Sequence, residues 1–474
     1  MYDHTKQFRC SIIRGKSQSE MDNLLPQYAK IIDEICPCGI DEFKEAFDNA
    51  IRPYLKAKER NKKEPLQKTF NNHRTEIAKC LFGMYYVSNE NVVYSSDRTK
   101  KFLSDGDTPA FFKDICYKMQ FPSGAAAYRK SETESNLYTQ LHNKLSIRQF
   151  PFILKVMLLA KSNNIILTKK EIGYYILNSL DVLQGNATPL EVYDVIASDR
   201  EQWKEAVRDP GSGSYAMQHI TEQINLLELA NLVIISGDEV AINQREIKSI
   251  QLFAEKYADK PEFDIYSYDL ENTEIKKQFY LDWDYYFSQL SNVSSEFETT
   301  ADALGAPTIP DTLSEEEMEN VKTSSTMEIG DEGERYVFEY EKQRVIKFNF
   351  RLAGKVLHLG KTKGLGYDIQ SVVAKEGDTA EFVKYIEVKS TKRVTAPDIS
   401  DDNWVDTLNI TRNEWIASQQ HKESYSIFRV YFTRGSVIMF VLTNIAQKAS
   451  EGIIEVVPTT YRLDFSNNAV DEII

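Results

Sequence analysis

Apolar residues recur at three- and four-residue spacing through Leu24, Leu25, Tyr28, Ile31, Ile32 and Ile35, and again through Phe43, Phe47 and Ile51 after a break at Pro37 to Gly39. That period predicts two helices forming one side of an α-helical core. Ala78 to Tyr86 suits either a buried helix or a strand, and Val92 to Tyr94 a short strand within an Asn-, Ser- and Gly-containing loop. Gly124 to Leu145 is polar and weakly patterned. Helical spacing returns at Phe150, Ile153, Leu154, Met157 and Leu158, and a second helix starts at Thr168, which stands in capping-box relation to Glu171. A third is expected over Leu190 to Ile196, and a fourth over Ala216 to Leu229 after the Gly-Ser break at Asp209 to Ser214. Leu232 to Ile242 then reads as two apolar strands around a Ser-Gly-Asp turn. Helices leading into a hairpin make a winged-helix pattern or a generic helical domain with a hairpin.

Ile250 to Tyr257 and the aromatic stretch Asn272 to Leu290 complete the N-terminal half, the second read as a helical seam packed on the preceding domain or as aromatics that stack on bases. Ser291 to Thr326 changes character: Ser, Thr, Pro and Glu predominate, as in a linker. Beyond it, Gly330 to Tyr340 predicts a helix, and Val345 to Phe350, Val356 to Leu359, Tyr367 to Val373 and Phe382 to Lys389 predict strands. A helix at Thr411 to Gln420 and strands at Ser426 to Phe432 and Val437 to Leu442 complete a compact α/β domain. The expected division is therefore 1–145, mainly helical; 146–290, winged-helix-like; 291–326, an acidic linker; and 327–474, α/β.

Length supports this division, because 474 residues exceed one ordinary core. The apolar share of 42% and charged share of 27% are those of a globular chain. The longest apolar run, Phe150 to Ala160, is too short to span a bilayer, and no secretory leader pattern opens the sequence, so a cytoplasmic protein without a membrane partner is expected. Five cysteines, Cys10, Cys36, Cys38, Cys80 and Cys116, lack the second pair that would turn Cys36-Pro37-Cys38 into a zinc site, and free thiols are expected. A net charge of −14 disfavours indiscriminate nucleic-acid binding. The charges are nevertheless segregated, with Lys56, Lys58, Arg60, Lys62, Lys63 and Lys68 close together. That run is either a solvated face or a contact with a polyanion backbone.

Candidate chemistry lies in the last domain. On a strand, Ile386 and Val388 share one face while Glu387 and Lys389 project together from the other. Upstream, Gly364-Leu365-Gly366 allows a tight turn into Asp368. Two carboxylates and a lysine can thus converge. Glu414 is open to two readings, as a cap with Thr411 or as a site residue, and Trp415 reads as core.

Gly366-Tyr367-Asp368 followed by Ile386-Glu387-Val388-Lys389 resembles the PD-(D/E)xK nuclease superfamily, with Tyr367 where the family has proline. Residues 328–445, including Gly330 to Glu334 and Glu414-Trp415, resemble more narrowly the C-terminal domain of NO VEIN-type and bacterial defence proteins. The expected fold is multidomain α+β: the helix and hairpin pattern gives a mainly α-helical N-terminal region with a winged-helix-like module, and the resemblance implies a C-terminal α/β restriction-endonuclease-like domain. The same resemblance implies a metal site of Asp368 and Glu387 holding Mg²⁺, with Lys389 orienting water or offsetting phosphate charge and Glu334 as a further catalytic residue. Lys392, Arg393 and Arg412 are read either as DNA-backbone contacts or as isolated surface cations. Arg148 to Glu171 is similar to the target-recognition part of AlwI-type restriction endonucleases.

The expected function is Mg²⁺-dependent hydrolysis of phosphodiesters in double-stranded DNA, in the manner of type II restriction enzymes and in bacterial defence. One active site cuts one strand, so double-strand cleavage would require at least transient pairing into a homodimer. The alternatives are a non-catalytic DNA-binding adaptor that retains a nuclease fold, and a nuclease acting on RNA or in repair.

Overall fold

The computed structural model describes Phe8 and residues 17–55, 67–127, 131–202, 214–309, 332–360, 362, 364–374, 382–401 and 404–456. They fall into two compact units. The first comprises Met1–Thr308, Ser390–Leu408 and Val430–Ile438; the second comprises Ile309–Lys389, Asn409–Arg429 and Met439–Ile474. The chain is multidomain and mixed in helix and sheet. Among the described residues, no helix is long and apolar enough to cross a membrane.

In the first unit, α1 (Gln18–Ile35) is opened by a capping box: the Ser17 hydroxyl accepts from the Glu20 N–H and the Glu20 carboxylate answers the Ser17 N–H. The chain turns at Pro37 into α2 (Ile40–Ile51), and Leu25, Tyr28, Ile32, Phe43 and Phe47 are buried as their spacing predicts. The ambiguous stretch after residue 70 resolves into a π-helix, Asn72–Leu81, followed by strand β2 (Tyr85–Val87). This strand pairs antiparallel with β3 (Val92–Ser95), which on its other side takes β1 (Cys38–Gly39). Next come α3 (Asp97–Asp105) and α4 (Thr108–Lys118).

The chain continues through α5 (Gln149–Ser162), strand β4 (Leu167–Thr168), α6 (Pro189–Glu201) and α7 (Ser214–Leu229) to the hairpin β5 (Val233–Ser236) and β6 (Glu239–Ile242). Thr168 and Glu171 form the expected capping box, which Arg200 reinforces through two hydrogen bonds to Glu171 at 2.6 and 2.7 Å. The hairpin is a three-stranded sheet, because Leu167 and Thr168 pair with Val240 and Glu239. The aromatic stretch forms α8 (Thr273–Ser288), with Phe279, Trp283 and Phe287 buried. The stretch expected to begin a linker at residue 291 instead starts inside this unit. Phe297 is fully buried, and the Thr299 N–H donates to the Asp107 carboxylate at 2.7 Å.

The second unit opens with α9 (Glu332–Phe348), which absorbs most of the strand expected over Val345 to Phe350. Val337, Glu341 and Val345 explain the correction: spaced four apart, they share one buried face of a helix, and the chain then leaves through a 3₁₀ turn at Phe350–Lys355. A five-stranded sheet follows in the order β11-β10-β9-β8-β7, made of β7 (Leu357–His358), β8 (Ile369–Val373), β9 (Phe382–Lys392), β10 (Tyr425–Thr433) and β11 (Ser436–Thr443). Helix α10 (Arg412–His421) precedes β10. Strands β7, β8 and β9 are antiparallel neighbours, with Ile369 opposite Ile386.

One face of this sheet is anchored to α9 by a fully buried carboxylate. Glu341 receives Arg344 through two nitrogens at 2.7 and 3.1 Å, Lys384 at 3.1 Å and the Ser371 hydroxyl at 2.7 Å. Burial alone would raise its pKa, but these partners hold it below the ordinary glutamate range. Lys384 therefore serves packing, while Tyr385, Glu387 and Lys389 alternate to the opposite face.

Candidate active site

Glycine geometry sets the position of Asp368. Gly366 has φ +75°, and a Cβ there would lie 2.5 Å from the Asn413 carbonyl oxygen, so only glycine lets the 364–367 turn lie against α10. The Gly366 carbonyl accepts from the Tyr425 hydroxyl at 3.0 Å, which ties the turn to β10 as well. The Asp368 N–H donates to the Ile386 carbonyl, and its Oδ2 accepts from the Val388 N–H at 2.8 Å. Asp368 is thus fixed against the strand that carries Glu387 and Lys389.

Across this face, Lys389 Nζ lies 2.6 Å from Glu387 Oε1 and 3.1 Å from Glu414 Oε2. Glu387 is buried, and Lys389 and Glu414 are largely covered. Glu414 also closes the cap of α10: its Oε2 accepts from the Thr411 N–H at 2.9 Å, and the Thr411 hydroxyl accepts from its N–H. One carboxylate thus both caps α10 and pairs with Lys389. Trp415 is half-buried rather than core.

The electrostatics follow from four charges with little water. Burial raises the Asp368 pKa; the Val388 hydrogen bond opposes this, and the Glu334 charge adds to it. Glu387 is also raised, by burial first and then by Asp368, against the pull of Lys389. Burial works against the charge on Lys389, but Glu387 and Glu414 hold it above the ordinary lysine range. Three carboxylates around one ammonium leave an excess of negative charge that favours either a proton or a cation.

Glu334, on the first turn of α9, lies near enough to raise Asp368, yet its Oε2 is bound to His358 Nε2 at 2.5 Å. His358 is buried, and its Nδ1 has no hydrogen-bond partner among the described residues. Nothing in sequence linked these two residues, which are 24 apart, or Tyr425 and Gly366, 59 apart. Tyr385, two residues before Glu387, stacks on His421 with centroids 3.9 Å apart and meets Tyr367 at 4.8 Å, making an aromatic wall on the same strand face.

Of the candidate phosphate contacts, Lys392 and Arg393 belong to the first unit and Arg412 to the second. Arg412 is exposed at the start of α10. Lys392 is half-buried, its N–H donating to the Gly106 carbonyl. Arg393 corrects the expectation: it is 5% exposed, donates to Thr395 Oγ1 at 2.8 Å and lies 3.7 Å from the fully buried Asp22 carboxylate. It is an interior ion-pair residue of the first unit. Of the basic stretch, residues 56–66 lie outside the described residues; Arg74, just beyond it, is buried against Asp48.

The donor set fits Mg²⁺. Asp368 and Glu387 supply hard carboxylate oxygens, and burial first, then neighbouring carboxylates, raises both pKa values, a cost to the charged form that a cation relieves. Among the described residues, no three His, Cys, Asp or Glu side chains form a cage for a metal. Two carboxylates with water completing the shell is a common mode for Mg²⁺ and a poor one for structural zinc.

Residues 2–284 match the family profile of restriction endonuclease BpuJI, N-terminal, and residues 333–442 match that of protein NO VEIN, C-terminal. Among solved structures, the chain is similar to a crystal structure of pyrene- and phenanthrene-modified DNA in complex with the BpuJ1 endonuclease binding domain. The identity is 48% and the TM-score 0.54, with 61% of this chain and 100% of that chain covered. No curated protein matches. The restriction-endonuclease likeness of the N-terminal half is thus to BpuJI, whereas the sequence reading pointed to AlwI-type enzymes.

Proposed function

Because this chain belongs to the restriction endonuclease BpuJI N-terminal family, we propose that it is a Mg²⁺-dependent DNA endonuclease of type II restriction-enzyme character, acting in bacterial defence. The observation that carries the catalytic half is the convergence of Asp368, Glu387, Lys389 and Glu414 on one largely buried sheet face. The DNA-reading half rests on the family match over residues 2–284 and on the similar solved domain, whose partner is DNA. Its helices, with the three-stranded β4-β6-β5 sheet, serve as the winged-helix module. The sheet unit serves as the PD-(D/E)xK core.

Asp368 and Glu387 would hold the metal. When bound, Mg²⁺ supplies positive charge at the scissile phosphate and lowers the pKa of a coordinated water. Lys389, gripped by two carboxylates, is oriented rather than mobile, and its ammonium offsets charge that grows on the phosphate oxygens in the transition state. Glu334 sets the charge felt by Asp368 and is itself positioned by His358. Tyr425 keeps the Asp368 turn in register with β10.

Incubating duplex DNA and Mg²⁺ with the wild type, Glu387→Ala and Lys389→Ala tests this reading. The wild type is expected to cleave, and each variant to lose about 10²-fold or more of the rate while still binding duplex. Tight duplex binding without cleavage by the wild type would make the protein a non-catalytic binder. Cleavage of RNA alone would overturn the substrate.

A further inference from the structure

A second place in the first unit has the chemistry of a ligand site and takes no part in the sheet-face cluster. Between α2, the π-helix Asn72–Leu81 and α8 lies a cavity of about 810 Å³. That volume is within the range of small-molecule sites, on the order of 300–1,000 Å³. π-Helical turns are rare and concentrate at functional positions, and a ten-residue run of them forms one wall here.

The lining specifies the ligand. The half-buried Tyr280 ring supplies flat apolar surface; Phe43 and Tyr85, which also line the cavity, are buried and packed on each other with centroids 4.6 Å apart. Asn72 and Asn91 add amide groups, each both donor and acceptor, while the amides of Gln67 and Asn71 are engaged with Asp48 and Arg74. Lys44, Lys68, Arg74, Lys79 and Lys277 line it with two carboxylates, Glu76 and Asp284, and Lys44 is paired with Asp41 at 2.7 Å. The inner cations are committed, Arg74 to Asp48 and Lys79 to Asp284 at 2.5 Å. The exposed Lys68 and Lys277 at the rim are placed to meet an anion. Aromatic surface, an amide edge and rim cations together match a base, its hydrogen-bonding edge and its phosphate.

We propose that this cavity binds one nucleotide unit, with the base against the Tyr280 ring and the phosphate at Lys68 and Lys277. The nucleotide can come from two sources: a base turned out of bound DNA, which rests on the proposed DNA-binding function, or a free mononucleotide, which does not.

Two arms separate the sources. In the first, 2-aminopurine deoxyribonucleoside 5′-monophosphate is titrated with the full chain, with Thr75→Trp, which fills the cavity from the π-helix, and with Lys68→Glu/Lys277→Glu, which reverses the rim. In the second, the same proteins are added to duplexes carrying one 2-aminopurine at successive positions, with duplex affinity measured in parallel. A saturable fluorescence change with the free nucleotide, weakened tenfold or more by both variants, supports the free ligand. A change at one duplex position only, lost in Thr75→Trp at saturating protein, supports the turned-out base. Duplex binding without a position-specific change, together with no response to the free nucleotide, overturns the proposal and leaves the DNA-binding reading standing. Failure to bind duplex overturns that reading instead, and the free-nucleotide arm then decides the cavity alone.

Discussion

Glu414 carries two duties on one oxygen, capping α10 through the Thr411 N–H and pairing with Lys389. Substitutions separate them. Glutamine preserves a capping box, so Glu414→Gln should leave the urea midpoint nearly unchanged while slowing Mg²⁺-dependent cleavage about tenfold or more, because Lys389 loses one of its two anchors. Thr411→Ala should do the reverse, costing about 1 kcal/mol of stability with cleavage largely retained. A Glu414→Gln variant that cleaves at the wild-type rate would reduce Glu414 to a cap. At Arg393, truncation leaves the buried Asp22 carboxylate with its Thr395 hydrogen bonds but without the adjacent guanidinium charge, and burial already raises Asp22. Arg393→Ala should therefore destabilise the fold by about 3 kcal/mol, and adding Asp22→Asn should recover part of that loss. Arg393→Ala with unchanged denaturant midpoint would contradict the interior role.

At the scale of elements, α4 carries a pH dependence. Its N-cap Asp107 accepts from the Ala110 N–H at 2.9 Å and, through its other oxygen, from the Thr299 N–H at 2.7 Å. Burial pushes Asp107 up to about 6 from its ordinary 3.8. The folded value lies above the unfolded one, so this group's stabilising contribution is complete below about pH 4 and is lost as pH rises to about 6. Relative to Asp107→Asn, the wild type should gain about 2 kcal/mol between pH 7 and pH 4.5, read from urea midpoints at both values. A difference that does not move with pH would remove Asp107 as the titrating group.

Periodicity made the first two helices, the hairpin and strands β8 to β11 legible, because their apolar spacing reports a face that packs regardless of distant partners. It failed at Val345, where a β-branched residue sits on a helical stripe whose meaning depends on Glu341 four residues earlier. The stretch after residue 291 misled for a related reason: its composition is that of a linker, and Phe297 and Thr299 are buried by partners far away in sequence. In the site, Glu387 and Lys389 were legible because strand alternation alone puts them together. His358, Tyr425 and the Glu341 network were not, since each is defined by a partner on another element.

For the whole molecule, net charge and local charge point in different directions. If the first unit holds duplex DNA, its affinity should fall steeply with salt despite the net −14, with the slope of log K against log salt giving the number of phosphates engaged. A salt-insensitive affinity would count against backbone contact. Each protomer has one candidate site, so double-strand cleavage should rise faster than linearly with protein concentration while single-strand nicking stays linear.

The hydrogen bond from the Val388 N–H to Asp368 Oδ2 also turns one backbone amide into a probe of the site. Its ¹⁵N resonance should shift when Mg²⁺ is titrated onto Asp368, whether or not any DNA is present. Even in a 54.6 kDa chain, valine-selective labelling leaves a spectrum sparse enough to follow that one resonance. Metal affinity can thereby be read from the strand itself, independently of whether the protein turns over a substrate.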